Sequence, residues 1–207
     1  MFTVITSEIR WFLEGTLPGE VATWFGKLGK KLINETERTD TYLVLPDTNK
    51  VGIKVREGRV EIKKMIDLPD EIRINENIAG QSEIWQKWSF ATRQSGNLPL
   101  SFILEPSQWI NIRKSRSLYR FAIEAGELKP HKASTPIPEN GAHIELAEIS
   151  IKGNPWWSLG VEAFGNHKQL KENLGLISNQ VINNFDHDHF AMQTSKSYPE
   201  WLTRFTT

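Results

Sequence analysis

Aliphatic residues take every second position on both sides of a Glu57-Gly58 turn within residues 52–65, and charged residues stand between them. The charged positions are Lys54, Arg56, Glu61 and Lys63. Strict alternation around a turn that contains glycine predicts a β-hairpin with one aliphatic and one charged face. In an open sheet the charged face would be solvated. In a closed barrel the same face would line the interior and form a cationic site.

Similar alternation predicts strands elsewhere in the chain. The further strand candidates are residues 2–13, 41–45, 83–92, 100–104, 109–123, 143–151 and 156–164. In the strand at 109–123, Lys114 and Arg116 share a face because they are two positions apart. Trp85 and Lys87 likewise share one face of their strand.

Two stretches have the spacing of amphipathic helices. Apolar residues at positions 21, 24, 25, 28 and 32 predict a helix over residues 20–33, and Asn166 is placed to cap a second helix that continues to Val181. Residues 199–205 predict a short final helix, whereas 75–82 and 129–140 have the character of loops. About eight strands with two or three helices and no linker predict one α+β domain over residues 1–207, built on an antiparallel sheet or barrel.

Composition narrows the function classes. The 25 Lys and Arg balance the 25 Asp and Glu, so long-range charge does not favour nucleic acid or a membrane surface, although a local RNA contact stays open. Any polyanion site must therefore be a local concentration of charge. The absence of Cys excludes disulfides and thiolate chemistry. With no signal peptide and no apolar run near the roughly 18 residues of a membrane span, we expect a soluble cytoplasmic protein.

Paired basic residues two positions apart are the main candidate for chemistry. Lys54 with Arg56, and Lys114 with Arg116, would each present two cations on one strand face. If such faces converge inside a barrel, their repulsion requires an anion among them, and a phosphate chain is the natural partner for Arg and Lys. The alternative is that these residues are the solvent faces of ordinary amphipathic strands.

Several short motifs occur in an order that resembles a known family. They are Gly52-Ile53-Lys54-Val55-Arg56, Glu61-Ile62-Lys63, Lys114-Ser115-Arg116, Thr41-Tyr42-Leu43, Leu159 to Phe164, Leu174-Gly175-Leu176 and Ser197 to Leu202. Together they resemble the CYTH superfamily, the triphosphate tunnel enzymes. The resemblance implies an eight-stranded antiparallel barrel, or tunnel, with two to three flanking helices that holds a triphosphate or another phosphorylated small molecule.

The resemblance also implies roles for individual residues. It implies ligand binding by Lys54, Arg56, Lys63, Lys114 and Arg116, and Arg10 and Glu61 complete the predicted ligand-binding set. It assigns Glu8 and Glu162 to a Mg or Mn ion and to catalysis, because phosphoryl transfer uses a metal held by carboxylates. As an enzyme, the protein would be a metal-dependent phosphohydrolase of the triphosphatase type.

The chain departs from the family pattern on the acidic side of the site. Arg10 and Gly160 stand where the family has glutamates, and Phe12 stands where it has lysine. Glu61 and Glu148 are the substitute carboxylates that the sequence offers. These departures favour an anion-binding pocket with divergent or lost triphosphatase activity. The alternative is a non-catalytic barrel that binds an apolar or aromatic ligand, or that acts as an interaction module.

The run Asp186-His187-Asp188-His189 is the densest set of metal-ligand types in the chain. Either it is a polar connector between two helices, or it binds a divalent or transition metal through two or three of its side chains. The sequence leaves both readings open, as it does the oligomeric state.

Overall fold

A computed structural model describes residues 2–29, 32–91, 108–132, 134–183, 185 and 188–205. The strands are β1 (Phe2–Glu14), β2 (Ile33–Leu43), β3 (Val51–Arg56), β4 (Arg59–Met65), β5 (Asp70–Arg73), β6 (Ala79–Ala91), β7 (Trp109–Glu124), β8 (Glu127–Pro130), β9 (Gly141–Ile151) and β10 (Asn154–Phe164). The α-helices are α1 (Gly19–Gly26), α2 (Leu170–Val181) and α3 (Tyr198–Leu202). The predicted strand at 100–104 lies outside the described residues.

Within these ranges, eight strands pair in a closed antiparallel cycle. Their order is β1-β10-β9-β7-β2-β3-β4-β6, and β6 pairs back onto β1. The short strands β5 and β8 pair with β6 and β7 outside this cycle. The predicted α+β fold, an eight-stranded antiparallel barrel with flanking helices, is therefore confirmed.

Two tight hairpins hold neighbouring strands in register. Between β3 and β4, Glu57 and Gly58 both have positive φ, at 49° and 71°. Lys152 and Gly153 join β9 to β10 with φ of 50° and 83°. Two consecutive residues with positive φ are typical of a type I′ turn, whose twist matches that of the flanking strands. The register that follows places the charged residues of β3 and β4 on one face, as the alternation predicts.

Helix α2 covers the outer face of the barrel. Its buried residues Leu170, Leu174 and Ile177 belong to its apolar side, and α2 contacts β1, β9 and β10. The outward residues of those strands, such as Ile9, Ile144 and Val161, lie in the same apolar cluster. Burial of each such aliphatic side chain stabilises the fold by on the order of 2 kcal/mol. Much of the hydrophobic core therefore lies between helix α2 and the outer face of the barrel.

Three element boundaries differ from the prediction. The first helix ends at Gly26 instead of residue 33, and Gly29 packs against the ring of Tyr119. Strand β2 begins at Ile33, well before the predicted start at Thr41. Strand β6 begins at Ala79, inside a predicted loop, where Gly80 lies so close to Ser195 and Ile9 that a Cβ would clash with both. The stretches around Gly29 and Gly80 owe their conformation to these tertiary contacts, which the local spacing of apolar residues does not indicate.

An irregularity in β2 explains why its first half was not predicted. Glu35 pairs with Arg116 and Arg38 with Lys114, so three residue steps on β2 match two on β7. This β-bulge shifts the parity of the strand. As a result, Glu35 accepts hydrogen bonds from both Arg38 and the inward-pointing Arg116. Strict alternation would have placed these two residues on opposite faces.

Candidate anion-binding site

The barrel encloses a cavity of about 260 Å³ with a densely charged wall. Among the described residues, nine Lys or Arg side chains and five Glu side chains line it. The cations are Arg10, Arg38, Lys54, Arg56, Lys63, Lys87, Lys114, Arg116 and Lys196, and the carboxylates are Glu8, Glu61, Glu83, Glu145 and Glu162. Formal charge balances over the whole chain, but cations outnumber carboxylates in the lining of the barrel.

All of the site residues predicted from the sequence line this one cavity. They are Glu8, Arg10, Lys54, Arg56, Glu61, Lys63, Lys114, Arg116 and Glu162. The basic faces of β3, β4 and β7 point inward, so the interpretation in which they are solvent faces is wrong. Glu148, by contrast, is exposed on the outer side of β9 and cannot act as a substitute carboxylate in the cavity.

Glu61 on β4 gathers three cations on one wall. Its carboxylate lies 3.1 Å from Lys54 Nζ, 2.9 Å from Arg56 Nη2 and 3.5 Å from Lys87 Nζ. Burial by itself would raise the pKa of Glu61, but the neighbouring charges of Lys54, Lys87 and Arg56 outweigh it and lower the pKa to about 2. This glutamate is ionised at any ordinary pH.

Glu145 on β9 plays the same part on the opposite side of the strand cycle. Its oxygens lie 2.9 Å from Arg10 Nη1, 2.7 Å from Lys114 Nζ and 2.7 Å from Arg116 Nη1. Burial opposes its ionisation, yet Lys114, Arg10 and Arg116 together hold the pKa of Glu145 well below its usual value. The cavity thus has two clusters in which one carboxylate is shared among three cations.

The bulged part of β2 adds further charges to the wall. Arg38 contacts Glu35 and also lies 3.2 Å from Asp40, while Lys54 Nζ lies 3.4 Å from Asp40. Burial lowers the pKa of Lys54 to about 8, although Asp40 and Glu61 attract its charge. Burial therefore disfavours the charged form of Lys54, and a further anion beside it would stabilise that form.

Three glutamates form a row across neighbouring strands. Glu83 on β6 is opposite Glu8 on β1, and Glu8 is opposite Glu162 on β10. Burial together with the charge of Glu8 raises the pKa of both outer members, that of Glu83 to about 7. The pKa of Glu8 is lowered, because the charge of Lys63 outweighs the burial of the carboxylate. Lys63 Nζ lies 2.5 Å from Glu8 Oε1.

The row does not fit the divalent metal that the resemblance implies. Within the described ranges, no three His, Asp or Glu side chains are arranged to hold one metal ion. Glu8 Oε1 accepts hydrogen bonds from the ammonium of Lys63 and the hydroxyl of Thr6, and the charge of Arg10 acts on the same carboxylate. Hard divalent cations need several oxygens that converge without competing cations, and these residues do not offer such a set to Mg or Mn.

One end of the cavity is closed by the C-terminal helix α3. Tyr198, Pro199 and Leu202 line the cavity there, and Trp201 stacks on Phe12 with ring centroids 4.4 Å apart. The hydroxyl of Tyr198 accepts a hydrogen bond of 3.1 Å from Lys114 Nζ. Below this layer, apolar residues from five strands fill the barrel. The charged chamber is therefore bounded at this end by an aromatic and aliphatic plug.

Sequence reasoning missed one histidine and five charged residues of the wall, which are Arg38, Lys87, Lys196, Glu83 and Glu145. Glu145 sits at an inward position of a strand that was predicted correctly, so its parity was a usable signal. Arg38 was hidden by the bulge in β2, for which the sequence carries no clear mark. His143, also in the wall, has its pKa lowered to about 4 by burial and by Arg120 and Arg116, so its imidazole is neutral.

Of the Asp-His run, the described residue His189 is not among the residues that line this cavity. Asp186 and His187 fall outside the described residues, and Asp188–Phe190 is a short 3-10 helix. The ring of His189 contacts Trp157 edge-on, with centroids 5.6 Å apart. Its role as connector or metal site stays a prediction. No helix in the described part of the chain has the length and apolar character needed to cross a bilayer.

Comparison with known proteins gives structural likenesses alone. No family profile and no curated protein matches the chain. A conserved hypothetical protein from Pyrococcus furiosus is 12% identical over 93% of this chain and 98% of its own, with a TM-score of 0.49. The RNA triphosphatase Pct1 from S. pombe is 11% identical over 99% of this chain and 80% of its own, with a TM-score of 0.37. At these values the likenesses do not say what this chain binds.

Proposed function

We propose that the barrel cavity binds a phosphorylated or polyphosphate-like small molecule. The observation that carries the proposal is the excess of cations over carboxylates inside a closed barrel. Glu35, Asp40 and Glu200, which pair with cations of the wall, join the five lining glutamates, so eight carboxylates face nine Lys or Arg among the described residues. A buried charge without full compensation costs several kcal/mol, and an anion taken from solution would relieve that cost.

The partner counts of the carboxylates support this proposal. Glu61 and Glu145 are each shared by three cations, so no cation in either cluster has a carboxylate to itself. Arg56 also keeps its Nε buried with no hydrogen-bond partner. Buried donors in native proteins are nearly always paired, and a missing partner is often an ion or water. A phosphate oxygen is the acceptor that best suits this guanidinium.

The chemistry of the wall argues against the apolar alternative. A pocket for an apolar or aromatic ligand presents mainly hydrophobic side chains with few polar groups. Here the lining is mostly Lys, Arg and Glu, and the tyrosines Tyr42 and Tyr198 already stack on each other with ring centroids 5.2 Å apart. Two separate three-cation clusters favour a ligand with more than one anionic group, such as a short phosphate chain.

Hydrolysis is not part of the proposal. Glu8 and Glu162, the predicted catalytic and metal-binding pair, both line the cavity, but Glu8 is held by Lys63. Their catalytic role, membership of the CYTH superfamily, a single domain over 1–207 and a cytoplasmic location stay predictions from the sequence.

Tryptophan fluorescence gives a direct test. Trp85 is the tryptophan that lines the cavity in the described part of the chain, and its indole donates a 2.9 Å hydrogen bond to Glu83. Titration with sodium tripolyphosphate at low salt should change the emission in a saturable way, and added NaCl should weaken the apparent affinity. Trp85→Phe should reduce the signal while calorimetry still detects binding. No heat and no emission change at low salt would refute the proposal, and a response to apolar ligands alone would favour the alternative.

A further inference from the structure

The cavity carries a row of carboxylates in which a cation is already present. Glu83, Glu8 and Glu162 occupy matching positions on β6, β1 and β10. Three acidic side chains on adjacent strands would repel one another in a buried wall unless positive charge lies among them. In many anion sites a divalent ion supplies that charge and also bridges to the ligand.

In this chain the ammonium of Lys63 supplies the charge. Its Nζ lies 2.5 Å from Glu8 Oε1, and Lys63 is side by side with Lys87 in the pairing of β4 with β6. Although burial disfavours the charged form, attraction by Glu8 and Glu162 raises the pKa of Lys63. The ammonium is thus bound to one member of the row and attracted by a second.

The neighbouring position on β1 carries a second fixed cation. Arg10 is opposite Gly160 on β10, and its guanidinium fills the space above that glycine so closely that a Cβ there would clash with Arg10 Nη2. The same guanidinium donates hydrogen bonds of 2.9 Å to Glu145 and 3.1 Å to Ser158. A carboxylate side chain at position 160 and this arginine conformation cannot coexist.

We propose that the cavity binds its polyanion without a divalent metal ion, because Lys63 and Arg10 provide the positive charge beside Glu8. This inference rests on the proposed function. The ligand class is accordingly the free polyanion and not its magnesium complex. A magnesium ion brought in with the ligand would meet Lys63 and Arg10 at short range, and their repulsion would oppose entry.

The test is calorimetric titration of the full chain with tripolyphosphate under two conditions. With EDTA present, we expect the affinity for tripolyphosphate to be no lower than in the same buffer without EDTA. With excess MgCl2 at matched ionic strength, we expect the affinity to fall by about tenfold or more, because magnesium sequesters the polyanion. Binding that requires Mg or Mn would overturn the inference and leave the proposed function standing. Binding in neither condition would refute the proposed function and this inference with it.

A variant pair assigns the effect to the lysine. Lys63→Gln should weaken tripolyphosphate binding in EDTA by about tenfold or more, whereas Lys129→Gln, at an exposed site on β8, should leave it unchanged. Magnesium alone should give no heat of binding in either protein, because Arg10 stays beside Glu8 in the variant. Equal tripolyphosphate affinities of Lys63→Gln and the unsubstituted protein would contradict the role of Lys63.

Discussion

The guanidinium of Arg10 occupies the space that a side chain at Gly160 would need, so that a Cβ there would clash with Nη2. The two residues are direct cross-strand neighbours on β1 and β10. Arg10 reaches Glu145 on β9 by passing over Gly160 of the intervening strand β10, where there is no side chain in its way. The glycine and the arginine therefore form one structural unit, and the effect of a substitution at one on stability should depend on which residue stands at the other.

A double-mutant cycle tests this unit. Gly160→Ala should lower the free energy of unfolding by about 1–3 kcal/mol, because the new methyl group displaces Arg10 from Glu145. In an Arg10→Ala background the same change should be nearly neutral or slightly stabilising, since alanine suits a strand better than glycine. Urea unfolding measures all four proteins. Equal effects of Gly160→Ala in both backgrounds would show that the arginine does not depend on the glycine.

Glu83 should make stability fall as the pH rises from about 4.5 to 7. Burial raises the pKa of Glu83 to about 7 from a model-compound value of 4.5, so the folded state binds more protons in this window than the unfolded state. That contribution is present below the unfolded pKa and is lost as the pH passes the folded pKa.

Glu83→Gln removes this titration while keeping an oxygen that can accept from Trp85. Relative to the unsubstituted protein, the variant should gain up to about 3 kcal/mol of unfolding free energy above pH 7, and the gain should vanish near pH 4. Urea midpoints at several pH values measure the difference. Glu76→Gln, at an exposed turn position, is the matched control and should show no such trend. A difference independent of pH would contradict the prediction.

Glu145 should contribute more to the stability of the protein without tripolyphosphate than with it. Glu145→Gln leaves Arg10, Lys114 and Arg116 without their shared countercharge and should cost about 3–5 kcal/mol. Tripolyphosphate should then raise the thermal midpoint of this variant more than that of the unsubstituted protein. Glu148→Gln, on the outer face of the same strand, serves as the control. An equal or smaller rise in the variant would argue that the ligand does not meet this cluster.

The C-terminal helix should be an integral part of the barrel. Trp201 is fully buried and stacks on Phe12, with an interplanar angle of 5°. Trp201→Ala should destabilise the protein by about 3–5 kcal/mol, as expected for a large core side chain. Ile137→Ala, at a site that is 67% exposed, should change stability by less than about 0.5 kcal/mol. Similar losses for the two variants in urea unfolding would contradict the role of α3 as a plug.

The sequence was informative where strands keep their parity. Alternation in β3, β4 and β7 was enough to place Lys54, Lys63 and Lys114 on single faces, because no bulge interrupts these strands. Which face was inside could not follow from alternation, since closure depends on the pairing of β6 with β1. That pairing joins segments about 80 residues apart, for which local patterns carry no signal.

The parts of the site that escaped prediction depend on long-range partners or on backbone irregularity. Arg10 was recognised as a departure from a motif, but its partner Glu145 lies 135 residues away in the chain. Arg38 lies beyond a bulge that reverses the parity of β2. In both cases the role of the side chain is set by what the folded barrel brings beside it, and not by its neighbours in sequence.

The affinity change caused by Arg56→Gln tests the central claim most directly. Arg56 lines the cavity, its Nε lacks a partner, and its loss leaves Glu61 paired with Lys54 and Lys87. Calorimetric titration with tripolyphosphate at low salt should show binding to the unsubstituted protein that is about tenfold weaker in Arg56→Gln and unaltered in the surface variant Lys129→Gln. Equal affinities of all three proteins would contradict an anion site inside the barrel.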